Sequence, residues 1–139
     1  MSVIVNDTGF APNNWTGPLA QIDELAANSD VNGLDLSPDA APETLSGKLD
    51  TIKMIRVAFP SFADGRGFTI ARRLRLMGYT GHLRAYGHVI ADQYAMARRS
   101  GFDDVEIEDD LAQRQDEAQW LARADWQAHD YQSRLRATV

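Results

Sequence analysis

The chain has 139 residues, of which 44% are hydrophobic and 24% charged, and these values predict one globular domain. Cysteine is absent, which excludes disulfides, thiolate nucleophiles and thiolate-ligated zinc or iron–sulfur sites built from this sequence alone. No apolar run approaches the roughly 20 residues that span a bilayer, and no secretory leader is visible, so we expect no membrane association and a cytoplasmic location.

The net charge of −6 is unevenly distributed along the chain. Residues 1–50 carry −7, residues 51–101 carry +7 and residues 102–139 carry −6, and twelve of the fourteen basic residues are arginine. Arginine's planar guanidinium suits carboxylates and oxyanions. The basic block lies between acidic ones and contains no recognisable nucleic-acid-binding motif, so we do not expect nucleic-acid binding.

The first 50 residues predict short elements separated by loops. In chain order we expect an edge strand at residues 3–5, a loop at 7–17, a short helix at 18–27, a weak strand at 31–36, a linker at 37–43 and a helix from Pro42 to about Leu49.

The middle of the chain shows the clearest alternation. Strands are predicted at residues 54–59, 82–86 and 104–107, joined by a helix that Thr69 caps and Gly78 ends, and by a helix over 91–100 that Gly101 ends. Short connections between such elements predict right-handed βαβ crossovers and a small, mainly parallel sheet of roughly four or five strands.

The fold prediction is therefore a single α/β domain spanning residues 1–139. Its motif core covers about 50–110, and a helical tail covers about 111–136. The tail contains Trp120 and Trp126, and it either packs on its own sheet or mediates a homodimer, since aromatic residues are enriched in interface cores.

Polar residues follow each of the three central strands. Because the carboxyl ends of parallel strands share one rim, where α/β proteins bind their ligands, these residues are expected to converge. The rim would contain Asp64 and Arg66 after the first strand, Gly87, His88, Asp92 and Gln93 after the second, and Glu108, Asp109 and Asp110 after the third.

Two interpretations of the Asp64–Thr69 loop stay open. In one, Arg66 and the backbone amides near Gly67 and Thr69 bind an oxyanion at a helix N-terminus. In the other, Asp64 and Arg66 form a structural ion pair that shapes the loop. The loop lacks the Walker ending and the third glycine of a dinucleotide fingerprint, so no nucleotide or flavin cofactor is expected.

Two further interpretations concern the rest of the rim. Asp64, Glu108 and one of Asp109 or Asp110 would hold a hard cation, although their spacing matches no metal motif and no metal is expected. Alternatively, His88 acts as a general acid or base that Asp92 orients.

Arg84 lies within the second predicted strand, where parallel sheets are usually covered on both faces. It needs a partner such as Asp64, Asp92 or an acidic residue of the tail, or it contributes to anion binding.

The motifs of residues 62–103 resemble a known bacterial family. They are Phe62-x-Asp64-Gly65-Arg66-Gly67-Phe68-Thr69, Gly78-Tyr79-x-Gly81-x-Leu83-Arg84-Ala85-x-Gly87, Asp92-Gln93 and Arg99-x-Gly101-Phe102-Asp103. On these residues the chain resembles domain of unknown function 934, most closely over 50–110. The resemblance carries over these motif residues but no assigned roles. From the predicted rim and loop we expect the ligand-binding residues to be Asp64, Gly65, Arg66, Gly67, Thr69, Arg84, Gly87 and Gln93.

The resemblance implies a role in sulfite reduction, because members of that family are labelled as oxidoreductases of this pathway and are encoded beside assimilatory sulfite reductase. Because this chain has no cysteine and no cofactor motif, we expect an accessory protein that acts with sulfite reductase and binds an oxyanion at the Asp64–Thr69 loop. The alternative is a small α/β enzyme that uses Asp64, Arg66, His88 and Asp92 for acid/base chemistry on an anionic substrate.

Overall fold

The computed structural model describes residues 2–13, 15, 19–22 and 32–126, and these form one seven-stranded sheet with short helices. The strands are β1 (Ser2–Asn6), β2 (Gly9–Pro12), β3 (Leu19–Gln21), β4 (Gly33–Leu36), β5 (Met54–Phe59), β6 (His82–Gly87) and β7 (Asp104–Glu108). The α-helices are α1 (Arg66–Leu76), α2 (Tyr94–Ser100), α3 (Asp109–Arg114) and α4 (Glu117–Leu121), and 3₁₀ turns lie at Pro42–Leu45, Leu49–Thr51 and Ala91–Gln93.

The strand order is β2-β1-β7-β6-β5-β4-β3, and strands β3 to β7 are parallel. Strand β1 is antiparallel to β7, and β2 is antiparallel to β1. Strands β4, β5, β6 and β7 lie side by side in chain order, so the chain crosses the sheet in one direction. Right-handed crossovers between these strands therefore place α1 and α2 on one face of the sheet. The predicted α/β class is confirmed, although the sheet has more strands than the four or five expected.

The apolar core lies on the helical face of the sheet. Alternation along β5 points Val57 and Phe59 to this face and Arg56 to the other. All four described α-helices contribute to the same apolar cluster, for example through Leu74 of α1 and Trp120 of α4. The opposite face carries charged side chains from β4 to β7, so the two faces of the sheet differ sharply in chemistry.

Several predictions for the N-terminal half are wrong. Strand β1 is not an edge strand, because it lies between β2 and β7. Part of the loop expected at residues 7–17 is β2, which pairs with β1 after a turn in which Thr8 N donates a hydrogen bond to Asn6 Oδ1. Within the helix expected at 18–27, residues 19–21 form β3 because they pair with β4, whereas residues 18 and 23–27 lie outside the described residues. The strand expected at 31–36 is confirmed over Gly33–Leu36, and residue 31 is outside the described part. The helix expected from Pro42 is instead two 3₁₀ turns.

Helix α1 begins at Arg66, earlier than predicted. Gly65 occupies the N-cap position, and the Asp64 carboxylate accepts a hydrogen bond from Arg66 N at 3.1 Å, so Thr69 lies within the helix and does not cap it. The predicted end is confirmed by Gly78, which has φ +99°. Gly101, with φ +117°, likewise ends α2.

The C-terminal tail is two short helices where one was expected. Asp116 interrupts the helical path and its carboxylate accepts a hydrogen bond from Gln119 N at 3.2 Å, which starts α4. Leu111 and Trp120 pack into the apolar core of their own chain. Residues 127–136 of the predicted tail lie outside the described residues, so a homodimer through them stays a prediction. Within the described ranges, no helix is long and apolar enough to cross a membrane.

The ring of Phe59 determines how closely α1 approaches the sheet. It is buried, with its centroid 5.0 Å from that of Phe68 and 5.8 Å from that of Phe102. A Cβ atom on Gly67 would lie 2.5 Å from this ring, so α1 can pack here only with glycine at residue 67.

Gly67→Ala should therefore lower the free energy of unfolding by about 1–3 kcal/mol, because the buried Phe59 ring would have to shift. Gly65→Ala is the matched control, since its Cβ would meet the nearest atom at 3.8 Å, and we expect a change within about 0.5 kcal/mol. Urea denaturation measures both, and equal stability of the two variants would contradict this account of the α1 contact.

Candidate functional site

A cleft opens at the carboxyl ends of β5, β6 and β7, where ligands are expected in α/β proteins. Its first lobe is a cavity of about 270 Å³ with Tyr86, His88, Glu108, Asp110 and Arg114 among its lining residues. Its second lobe is a cavity of about 390 Å³ that shares His88, Leu111 and Arg114 with the first and adds Phe62 and Ile90. We call the two lobes together the strand-end cleft.

The turn after β6 shapes one wall of the cleft. Gly87 has φ +115°, and a Cβ atom there would lie 2.6 Å from the Phe59 carbonyl oxygen, so residue 87 must be glycine. His88 N donates a hydrogen bond to that same oxygen at 2.8 Å. These contacts hold the chain against the end of β5 and leave the His88 side chain exposed at the cleft.

Tyr86 and Glu108 form a hydrogen-bonded pair in the first lobe. The Tyr86 hydroxyl donates to Glu108 Oε1 at 3.1 Å, and the Arg56 guanidinium carbon lies 4.0 Å from the centre of the Tyr86 ring. Burial and the hydrogen bond to Glu108 both raise the pKa of Tyr86, so its hydroxyl stays protonated at neutral pH. The arrangement presents the carboxylate of Glu108 in a defined position.

Helix α3 supplies the opposite wall. The backbone N–H of Leu111 donates to Asp110 Oδ1 at 2.9 Å at the start of the helix. One turn later Arg114 lies 3.9 Å from Asp110 Oδ2, which is beyond hydrogen-bond distance, and its side chain is 70% exposed. The Arg114 guanidinium therefore retains its hydrogen-bonding capacity.

The predicted rim residues do not all meet in the cleft. Gly87, His88, Glu108 and Asp110 line it. Asp109 is the first residue of α3 and is not among the lining residues. The other candidates lie in three further places, described next.

Asp64 and Arg66 pair at the start of α1, as the ion-pair interpretation predicts. Arg66 donates from Nε to Asp64 Oδ1 at 2.9 Å and from Nη2 to Oδ2 at 2.7 Å, and its Nη1 contacts Asp39. The hydrogen bonds from Arg66 lower the pKa of Asp64 to about 2. Oxyanion binding at this loop stays a prediction, and an oxyanion would compete with two carboxylates for the same guanidinium.

Arg84 lies on the charged face of the sheet and is only 5% exposed. Its partner is Asp104 of the adjacent strand, at 2.9 Å from Nε and 3.2 Å from Nη2, and not Asp64, Asp92 or the tail as expected. On the same face Glu106 accepts a hydrogen bond from Arg56 at 3.0 Å. Arg84 thus belongs to a structural ion network, which the alternation of β6 brings to the face away from the helices.

Asp92 and Gln93 also bind within the fold. Asp92 Oδ1 accepts a hydrogen bond from Arg123 at 2.8 Å, and Gln93 donates from Nε2 to the Phe62 carbonyl at 2.7 Å. In the described part of the chain, no hydrogen bond or ion pair joins His88 to Asp92. Asp92 is therefore not placed to orient His88, although a catalytic role of either residue stays untested.

A metal site finds no support within the described ranges, where no group of three or more histidine or acidic side chains is arranged to hold a metal ion. Three residues of the cleft, Tyr86, Phe62 and Arg114, are not predicted from the sequence. The spacing of Asp110 and Arg114 along one helix was a usable signal for Arg114, since residues i and i+4 share a helix face.

Asp104→Asn tests the ion network. Burial raises the pKa of Asp104, but hydrogen bonds from His82 and Arg84 outweigh it and lower the pKa below its usual value. Its contribution to stability is therefore full above the unfolded-state pKa of about 3.9 and is lost as the pH falls through the lower folded-state value.

We expect Asp104→Asn to cost about 3 kcal/mol at pH 7, because it leaves Arg84 buried with an uncompensated charge, and to weaken the loss of stability in acid. Asp92→Asn removes an exposed pair and should change stability by less than about 1 kcal/mol. Urea denaturation from pH 7 down to about pH 2, which covers the window below the unfolded-state pKa, measures both, and an unchanged acid profile of Asp104→Asn would refute the assigned role.

Comparison with known proteins places the chain in a family. The chain matches no curated protein and no solved structure. Residues 33–139, well over half of the chain, match the family model described as "Bacterial protein of unknown function (DUF934)". This range starts at β4 and includes the strand-end cleft and the Asp64–Thr69 loop. The chain therefore belongs to this bacterial family of unknown function.

Proposed function

We propose that the protein is an accessory protein of assimilatory sulfite reduction that acts with sulfite reductase by binding. The observation that carries the proposal is the pairing of its candidate catalytic charges within the fold. Arg66 is bonded to Asp64, Arg84 to Asp104, and Asp92 to Arg123.

Such pairing favours binding over turnover. A general acid or base must reach the reacting group of a substrate, and a side chain already held by an opposite charge is less free to transfer a proton. The pathway itself comes from the family resemblance. Sulfite reduction requires redox cofactors, and a chain without cysteine can supply no thiolate ligands for a cluster, so the reductase would carry the redox chemistry.

The outer surface of the helical layer supports a docking role. Leu76 of α1 and Met96 of α2 have 81% and 54% of their surface exposed. Arg72 is also exposed on α1, one turn before Leu76. Apolar side chains beside a positive charge suit a partner surface that is partly apolar and acidic.

A strain lacking this protein should fail to grow on sulfate or sulfite as sole sulfur source and should grow on sulfide or cysteine. Tagged protein should retain sulfite reductase in a pull-down, because the proposed role requires contact between the two. Normal growth of the deletion strain on sulfite would rule out this role.

The same pull-down tests the docking surface by comparing two variants. Leu76→Asp should abolish capture of the reductase, whereas Leu121→Asp, an exposed leucine of α4, should leave it intact. Equal capture by the two variants would move the docking surface away from α1.

The Asp64–Thr69 loop is the proposed oxyanion site, and Asp39 offers a direct test of it. The Asp39 carboxylate contacts Arg66 Nη1 and is mostly exposed, so an oxyanion would have to displace it. Asp39→Asn should tighten sulfate and sulfite binding about two- to fivefold, and Arg66→Ala should remove it. Titration calorimetry measures both, with exposed Asp50→Asn as the control. Binding that is unchanged in Arg66→Ala would exclude the loop.

A second candidate function is the small α/β enzyme. Its support is the presence of His88 in one cleft with Glu108 and the protonated Tyr86 hydroxyl. In that case the acid/base groups would be these cleft residues, and the isolated chain would turn over a substrate without the reductase.

A further inference from the structure

We propose that the strand-end cleft binds a small zwitterion, namely an α-amino acid with an apolar side chain. The cleft combines a first lobe that contains two carboxylates, an arginine that lines both lobes, and a second lobe that contains apolar side chains and no carboxylate. An α-amino acid has an ammonium group, a carboxylate and a side chain on one carbon, and so presents one group to each of these regions.

Glu108 and Asp110 would receive the ammonium group. Glu108 Oε1 accepts the Tyr86 hydroxyl, and its second carboxylate oxygen has no hydrogen-bond partner within the described chain. The Tyr86 ring lies against the Arg56 guanidinium, which fixes the position of the ring. The hydrogen bond from the Tyr86 hydroxyl then fixes the position of the Glu108 carboxylate. This preorganisation reduces the entropy lost when a ligand binds.

Arg114 would receive the carboxylate. Its guanidinium makes no hydrogen bond to any described residue, and it lines both lobes. An arginine fork binds a carboxylate through two parallel hydrogen bonds. By itself the exposed Asp110–Arg114 pair would be an ordinary surface interaction of little energy. Its position at the junction of two cavities is what suggests a ligand.

The second lobe would hold the apolar side chain. It is lined by the apolar side chains of Phe62, Ile90 and Leu111 together with His88, Arg114 and Gln115, and its lining contains no carboxylate. Phe62 is 59% exposed, although Gln93 holds its carbonyl through a 2.7 Å hydrogen bond. A ligand side chain would cover this apolar surface, and such burial is favourable.

The mixed charge excludes simpler ligands. A small anion would be attracted by Arg114 but repelled by the carboxylates of Glu108 and Asp110. A small cation would be attracted by those carboxylates but repelled by Arg114. Only a ligand that carries both charges is attracted by each wall. Binding here does not depend on the proposed role in sulfite reduction, since the cleft can hold its ligand whether or not the protein contacts the reductase.

The test uses the full chain and three matched probes. L-leucine carries both charges, isoamylamine lacks the carboxylate, and isocaproate lacks the ammonium group. We expect saturating L-leucine to raise the Tm, because ligand binding stabilises the folded state. We expect each analogue to bind at least about tenfold more weakly in titration calorimetry, because one charged contact is lost.

Variants locate the binding. Glu108→Gln and Arg114→Gln should each weaken L-leucine binding about tenfold, and both change exposed residues, so the fold should be retained. Glu43→Gln and Arg73→Gln are the matched controls, because they make the same changes at exposed sites outside the cleft. A Tm unchanged by L-leucine, L-methionine and L-phenylalanine would overturn the proposal. So would analogues that bind as tightly as leucine, or full binding by both cleft variants.

Discussion

The packing of Phe59 determines the geometry of the strand ends. Its ring lies against Gly67 and Phe68 of α1, and its carbonyl oxygen accepts the hydrogen bond from His88 N and lies against Gly87. One residue therefore sets both the approach of α1 to the sheet and the exit of the chain from β6. Phe59 is also among the residues that line the strand-end cleft.

The second constraint is the unequal chemistry of the two sheet faces. Apolar residues of β4 to β7 face the helices, and charged residues of the same strands face away. Arg56 and Arg84 are direct neighbours in the register of β5 and β6, so their like charges would repel. Glu106 lies 3.0 Å from Arg56 and 3.7 Å from Arg84, and this carboxylate compensates both. The arginines on this face are therefore compensated by carboxylates of the same face.

The sequence predicted the central elements well because their signals are local. Apolar runs define β5 and β7, and glycines with positive φ end α1 and α2. The prediction of helix at residues 19–21 is wrong because β3 owes its structure to pairing with β4, which no local pattern reveals. The prediction of β1 as an edge strand is also wrong, because β2 pairs with it across a tight turn and this pairing leaves no local signal.

The candidate site was predicted in part. Parallel topology correctly brought His88 and Glu108 to one cleft. Asp64 and Arg66 do not line that cleft, because they pair with each other at the start of α1 and Arg66 also contacts Asp39. The partner of Arg84, which the sequence left open, is Asp104 on the charged face. Spacing along a chain predicts which end of the sheet a residue occupies, but the partner of a charged side chain depends on distances that only the folded structure defines.

The N-terminal hairpin lies outside the family match yet supports the cleft. In the register of β1 with β7, Ser2 pairs with Glu108, so the hairpin converts β7 from an edge strand into an internal one and holds the strand end from which Glu108 projects. The turn between β1 and β2 also bears Asp7, whose carboxylate accepts hydrogen bonds from Tyr94 and Arg98 of α2. Since α2 leads directly into β7, both ends of that strand are restrained by the first twelve residues. A segment that contributes no side chain to the lining of the cleft therefore determines how rigidly its acidic wall is presented.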